Sequence, residues 1–186
     1  SYRKLFATAF QDVCILGMTV KDNILLGEKS TPENEERVAT ALKKAGIYER
    51  IESLPKGIHT MMTKEFDEEG VVLSGGESQK VAVARAFYRI CPIKIFDEPS
   101  SALDPIAEYE LFQSIMQERR QNTMIFISHR LSSVKNVDYV LMLEHGQIIE
   151  RGTHKELMQR EGSYATMYRK QARNYQAIDS VEEMAL

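Results

Sequence analysis

The sequence predicts an α/β fold, a mainly parallel sheet that carries a helical insert. Three observations predict it. From residue 92 onward, short apolar runs at 93–97, 123–128, 138–143 and 147–150 have the length of strands, and a helical stretch at 105–120 separates the first two, as a parallel pair requires. An earlier strand is expected at 5–10, ending before Gln11. Between that strand and residue 88 the pattern is helical, with Val38, Ala41, Leu42 and Ala45 forming an i, i+3, i+4, i+7 apolar stripe.

Each element has a local cause. Thr19 is placed to cap a short helix over 20–26 that Gly27 ends. Thr31-Pro32 opens the next helix, with Pro at its first position, acidic residues at 33, 35 and 36 near the positive end, and Gly46 closing it. A short helix is expected at 47–53 and a loop at 55–72. Ser74 then starts a helix that runs to about Tyr88. His145-Gly146 predicts a turn between the last two strands. Thr153 caps a helix over 154–160, another runs from Ser163 to about Tyr175, and the acidic tail from Asp179 to Leu186 is expected to fray. The expected division is a helical subdomain over about 16–88, an α/β core over 1–15 and 89–160, and a C-terminal helix and tail over 161–186.

Composition narrows the function. The 186 residues carry a net charge of −3, which offers no basic surface for nucleic acid. Cys14 and Cys91 are far apart and match no metal spacing, so reduced thiols are expected. No apolar run approaches the roughly 20 residues that span a bilayer. The opening Ser-Tyr-Arg-Lys has no signal-peptide character.

Several short motifs carry chemistry. Ser74-Gly75-Gly76 precedes a helix, where free N–H groups and the positive dipole end suit phosphate and glycines allow close approach. Asp97 and Glu98 end an apolar strand; the first carboxylate suits Mg²⁺, and the second suits a proton acceptor for water. Lys94 interrupts that strand, so it must snorkel, find an acidic partner or lie where the sheet is loose. Asp104-Pro105 is a helix-capping pair. His129 follows another strand, and an imidazole there can donate a hydrogen bond to an anion. His59, His145 and His154 are expected to be structural.

In order and spacing, Leu73-Ser-Gly-Gly-Glu77, Asp97-Glu-Pro-Ser-Ser-Ala-Leu-Asp104 and Ser128-His-Arg130 resemble the ATP-binding cassette (ABC) ATPases, over residues 1 to about 170. The segments 19–27 and 152–157 resemble exporter-type members. The resemblance implies a partial P-loop NTPase (RecA-like) core with an ABC-type helical subdomain. It implies ATP and Mg²⁺ as cofactors, with Asp97 and Gln11 at the metal and Glu98, His129 and Gln11 in catalysis. Ser74, Gly75, Gly76, Glu77, Gln79, Ser101 and Asp104 would face a nucleotide held by the opposite domain of a dimer. Glu77 departs from the Gln that many members carry. Implied partners are a second nucleotide-binding domain and the coupling helices of a transmembrane domain, which places the chain at the cytoplasmic face of a membrane. Gln11's loop would meet those helices. The acidic segment 65–70 either does so too or is a solvated charge run.

One part is missing. No Gly-Lys pair occurs, so the phosphate loop Gly-x-x-x-x-Gly-Lys-Ser/Thr is absent and is expected upstream of Ser1, together with its strand and an adenine-stacking aromatic. Two other readings compete with the exporter. Soluble ABC ATPases of DNA repair, chromosome maintenance or translation would carry heptads or basic arms, which the sequence lacks. A truncated or degenerate cassette would act as a non-catalytic binding module.

Overall fold

In the computed structural model, which describes residues 2–119, 122–130 and 134–172, three strands pair in parallel. They are β1 (Phe6–Ala9), β2 (Ile93–Asp97) and β3 (Thr123–Ile127), in the order β1-β2-β3. The register sets Ala9 beside Phe96 and Phe96 beside Phe126. One face therefore carries Ala7, Ala9, Lys94, Phe96, Met124 and Phe126. Phe96 stacks on Phe126 at 5.4 Å between ring centroids, with Phe87 and Phe112 tilted against them. On the other face Ile125 and Ile127 are exposed.

The insert lies between β1 and β2 and comprises α1 (Val20–Leu25), α2 (Pro32–Lys44), α3 (Tyr48–Glu52) and α4 (Gly75–Tyr88). The caps are those expected. The Thr19 and Thr31 side chains accept from the N–H groups of Asp22 and Asn34. Leu26 (φ 46°) and Gly27 (φ 92°) turn the chain out of α1. Val38, Ala41, Leu42 and Ala45 are all buried. α4 is the most enclosed helix: Val81, Val83, Ala84 and Ala86 are at most 1 % exposed. From Val81 to Tyr88 every residue except Arg85 is buried, so this half of the helix lies inside the core. Insert and sheet share that core, since Ile24, Leu42 and Val83 cluster with Ala9 and Phe96. Packing thus gathers insert and sheet in one compact unit, Ser1–Ile127.

The second unit begins at Ser128. Its strands β4 (Val140–Glu144) and β5 (Gln147–Gly152) form an antiparallel hairpin, turned by His145 (φ 48°) and Gly146 (φ 76°). α6 (His154–Arg160) follows a Thr153–Glu156 capping box, and residues 163–172 are helical. Leu157 and Tyr164 fill the small core of this unit. Nδ1 of His154 lies 2.8 Å from the Tyr164 hydroxyl, the structural role expected of that histidine. The expected continuation of the last helix past 172 and the acidic tail lie outside the described residues.

Lys94 has found an acidic partner. Between β2 and α5 (Pro105–Glu118) its ammonium, 2 % exposed, donates to Glu118 at 3.2 Å and to the Phe87 carbonyl at 3.4 Å. Glu118 also binds Lys44 of α2, so one carboxylate joins sheet, insert and α5. Burial pushes the Glu118 carboxyl up, but the Lys44 hydrogen bond and the Lys94 charge outweigh it and hold it below the usual range. A lowered carboxyl contributes stability above its ordinary pKa and loses it as pH falls through the folded value. Glu118→Ala is expected to cost about 1–3 kcal/mol, less than for a fully buried pair because the carboxylate keeps some solvent. Glu118→Gln should flatten part of the loss of stability between neutral and acidic pH. Urea unfolding across that pH range checks both.

Candidate functional site

Parallel strands gather their carboxyl ends on one side, where α/β proteins place ligands. Because Ala9 pairs with Phe96, Gln11 and the pair Asp97 and Glu98 emerge from neighbouring strand ends. Gln11 is exposed, and Asp97 and Glu98 are half-buried. Glu98 has φ 48°, a left-handed conformation that a residue with a Cβ rarely takes. Such strain persists only where the surroundings over-determine it, and it gathers at functional positions. Here the Glu98 N–H donates to Ile127 O at 2.9 Å. Its carbonyl accepts from Gln79 Nε2 at 2.7 Å and from Ser101 N–H at 3.2 Å.

The tip of α4 is open. Ser74 and Gly75 are exposed and Gly76 half-buried. Ser74 accepts from Glu77 N–H at 3.3 Å, and Glu77 accepts in return from Ser74 N–H at 2.8 Å, a reciprocal capping box. Glu77 also receives Arg50 Nε at 2.8 Å. The Ser74 N–H first, and Arg50 next, hold the Glu77 carboxyl below the usual range. The cap thus engages the Ser74 and Glu77 N–H groups of a 14-residue helix, and the tip at Ser74 and Gly75 stays exposed.

The two glycines differ. A Cβ on Gly76 would sit 2.9 Å from Ala102 O and 3.3 Å from Leu103, so Gly76 is required by packing. A Cβ on Gly75 would meet only Ala102 Cβ at 3.9 Å, an ordinary contact.

Gln79, expected to face the nucleotide, makes its hydrogen bonds within the chain. It is 3 % exposed. Nε2 donates to Glu98 O and to Ser101 Oγ at 2.9 Å, and Oε1 accepts from Ala102 N–H at 2.9 Å. Gln79 therefore positions the 98–102 loop. Ser101 is exposed with its hydroxyl on Gln79. Asp104 caps α5, accepting from Ala107 N–H at 2.9 Å and Ile106 N–H at 3.0 Å, and these bonds lower its carboxyl.

His129 belongs to the second unit, where it is exposed and its carbonyl accepts from Gln171 at 2.6 Å. Among the described residues no group of three or more His, Cys, Asp and Glu side chains could hold a metal. Among the described residues no helix is long and apolar enough to cross a membrane. Arg50 and Asn23 were missed in the sequence, because charge pairing across the insert and a buried amide leave no periodic signal.

Comparison with known proteins gives consistent results. The profile of the ABC transporter family matches residues 1–101. The chain is 39 % identical to the ATP-dependent lipid A-core flippase of Idiomarina loihiensis over 166 residues, 89 % of this chain and 28 % of that protein. It is 41 % identical to the same-named flippase of Methylobacillus flagellatus over 172 residues, 92 % of this chain and 28 % of the flippase. The ABC-type transmembrane transporter verA of Clonostachys rogersoniana is 38 % identical over 90 % of this chain and 13 % of its own length. A solved bacterial Atm1-family ABC exporter with ATP bound superposes with a TM-score of 0.81 at 34 % identity, covering 91 % of this chain and 29 % of that one. The chain thus spans less than a third of the relatives it matches.

Gly76→Ala is expected to destabilise the fold by about 1–3 kcal/mol, since a backbone oxygen must give way. Gly75→Ala should leave the unfolding midpoint unchanged or slightly raised. A paired denaturation series checks the contrast.

Proposed function

This chain belongs to the ABC transporter family, and we propose that it is part of the ATP-binding, ATP-hydrolysing domain of a membrane exporter. The observation that carries the proposal is the pairing of two features. One is an open, glycine-tipped helix start at Ser74–Gly76; the other is a strand-end Asp97-Glu98 pair whose second backbone is held at φ 48°. The first suits phosphate, the second Mg²⁺ and water.

In this reading Asp97 and Gln11 would hold Mg²⁺, which would supply charge neutralisation for the phosphates. Glu98 accepts the proton as a water oxygen bonds to the γ-phosphorus and the bond to ADP breaks. His129 donates a hydrogen bond to the γ-phosphate. The Ser74–Gly76 tip binds the γ-phosphate of a nucleotide held by a second nucleotide-binding domain, with Ser101 and Asp104 along the same interface. Gln11's loop and 65–70 face the coupling helices of a transmembrane domain, at the cytoplasmic side of the membrane. The motion of closing and reopening drives export.

A non-catalytic module is favoured for the chain by itself by one observation: it contains no Gly-Lys. The 186-residue chain is therefore expected to bind Mg·ATP poorly and not turn it over. Calorimetry that finds micromolar binding contradicts this. In an intact exporter carrying the chain, Glu98→Gln should keep ATP binding and lower turnover by about a hundredfold or more. Retained turnover removes Glu98 from the role.

A further inference from the structure

Residues 12–18 follow Gln11 and lead to α1 without helix or strand. Two side chains organise their backbone. Asn23, fully buried in α1, accepts from Leu16 N–H at 2.9 Å. Its Nδ2 donates to Leu16 O at 3.0 Å, Met18 O at 3.4 Å and Thr19 O at 3.0 Å. Arg85 of α4 reaches both sides of this knot. Its Nε donates to Asn23 O, one terminal nitrogen to Asn23 Oδ1 and the other to Cys14 O, each at 2.7 Å.

We propose that Arg85 is a positioning residue that ties the loop after Gln11 to the helix whose tip is Ser74–Gly76, so that loop and tip move as one body. The geometry supports this in three ways. Arg85 uses three donors of one rigid plane on two segments, which a lysine cannot reproduce. Its loop acceptor is a backbone carbonyl, so the link acts on the path of the loop itself. The helix between tip and Arg85 is about 16 Å long, at the standard rise per residue, and is buried from Val81 to Ala84. Burial also lowers the arginine's pKa, while Cys14 opposes that, and the group remains a cation at any physiological pH.

Amide hydrogen exchange tests the link in two arms, and only the second rests on the ATPase reading above. In this chain, Arg85→Met should speed exchange in 12–18, where Leu16 N–H is held by Asn23, by about tenfold or more while 36–44 in α2 stays as in the parent. Arg85→Lys should fall between. Unchanged exchange in 12–18 overturns the proposal. So does equal acceleration in 36–44, which marks a general stability role. If Arg85→Met fails to fold, Arg85→Lys decides on the same criterion. In the intact exporter, a slowly hydrolysed ATP analogue with Mg²⁺ should protect both 74–78 and 12–18, and Arg85→Met should confine protection to 74–78. Undiminished protection of 12–18 in that variant also overturns the proposal. An analogue that protects neither segment in the parent removes the ATPase reading, and the first arm still decides whether Arg85 holds the loop.

Discussion

A helix buried over its C-terminal half yet open at its N-terminus is the constraint on which the rest of the structure depends. α4 keeps an exposed tip while its later turns are fixed by apolar packing against the insert and the sheet. A phosphate-facing tip gains from such rigidity, since donors already aimed need no reorganisation when charge arrives. Gly76 marks how tightly the tip is seated against Ala102, while Gly75 faces outward without a packing reason to be glycine. The distinction separates a glycine that packing requires from one that packing does not.

Polar side chains complete what packing begins. Gln79 spends its whole amide on the 98–102 loop and so helps keep Glu98 in a backbone state it would otherwise leave. Asn23 and Arg85 do the same for the loop after Gln11. Glu118 of α5 pairs with Lys94 of the sheet and with Lys44 of the insert, so the buried Lys94 ammonium would be stranded without it. Each of these groups acts on the protein's own backbone or charge.

Much of this was legible in the sequence, for identifiable reasons. Helix starts follow local rules, so Thr19, Thr31, Ser74, Asp104 and Thr153 could be placed as caps before any coordinates. Strand β2 was found over the same residues because an apolar run bounded by Pro92 and Asp97 has little freedom. Lys94 announced a buried pair by its misfit, although not which carboxylate it would meet. What stayed hidden depends on contacts distant in the chain. Gln79 carries the motif of a nucleotide contact, yet its neighbours in space are Glu98, Ser101 and Ala102, some twenty residues away. The shared core of insert and sheet escaped for the same reason: two segments that look separate by composition are merged by the burial of α4.

The central claim is that two copies of this domain share a triphosphate between the Ser74–Gly76 tip of one and the strand-end carboxylates of the other. A structure of the intact dimeric protein with Mg²⁺ and a non-hydrolysable ATP analogue measures this directly. The account predicts the γ-phosphate within hydrogen-bond distance of the N–H groups at the tip in one copy, with Asp97 and Glu98 of the other copy around the metal and the attacking water. A nucleotide bound away from both, or a tip turned from any second copy, would contradict it.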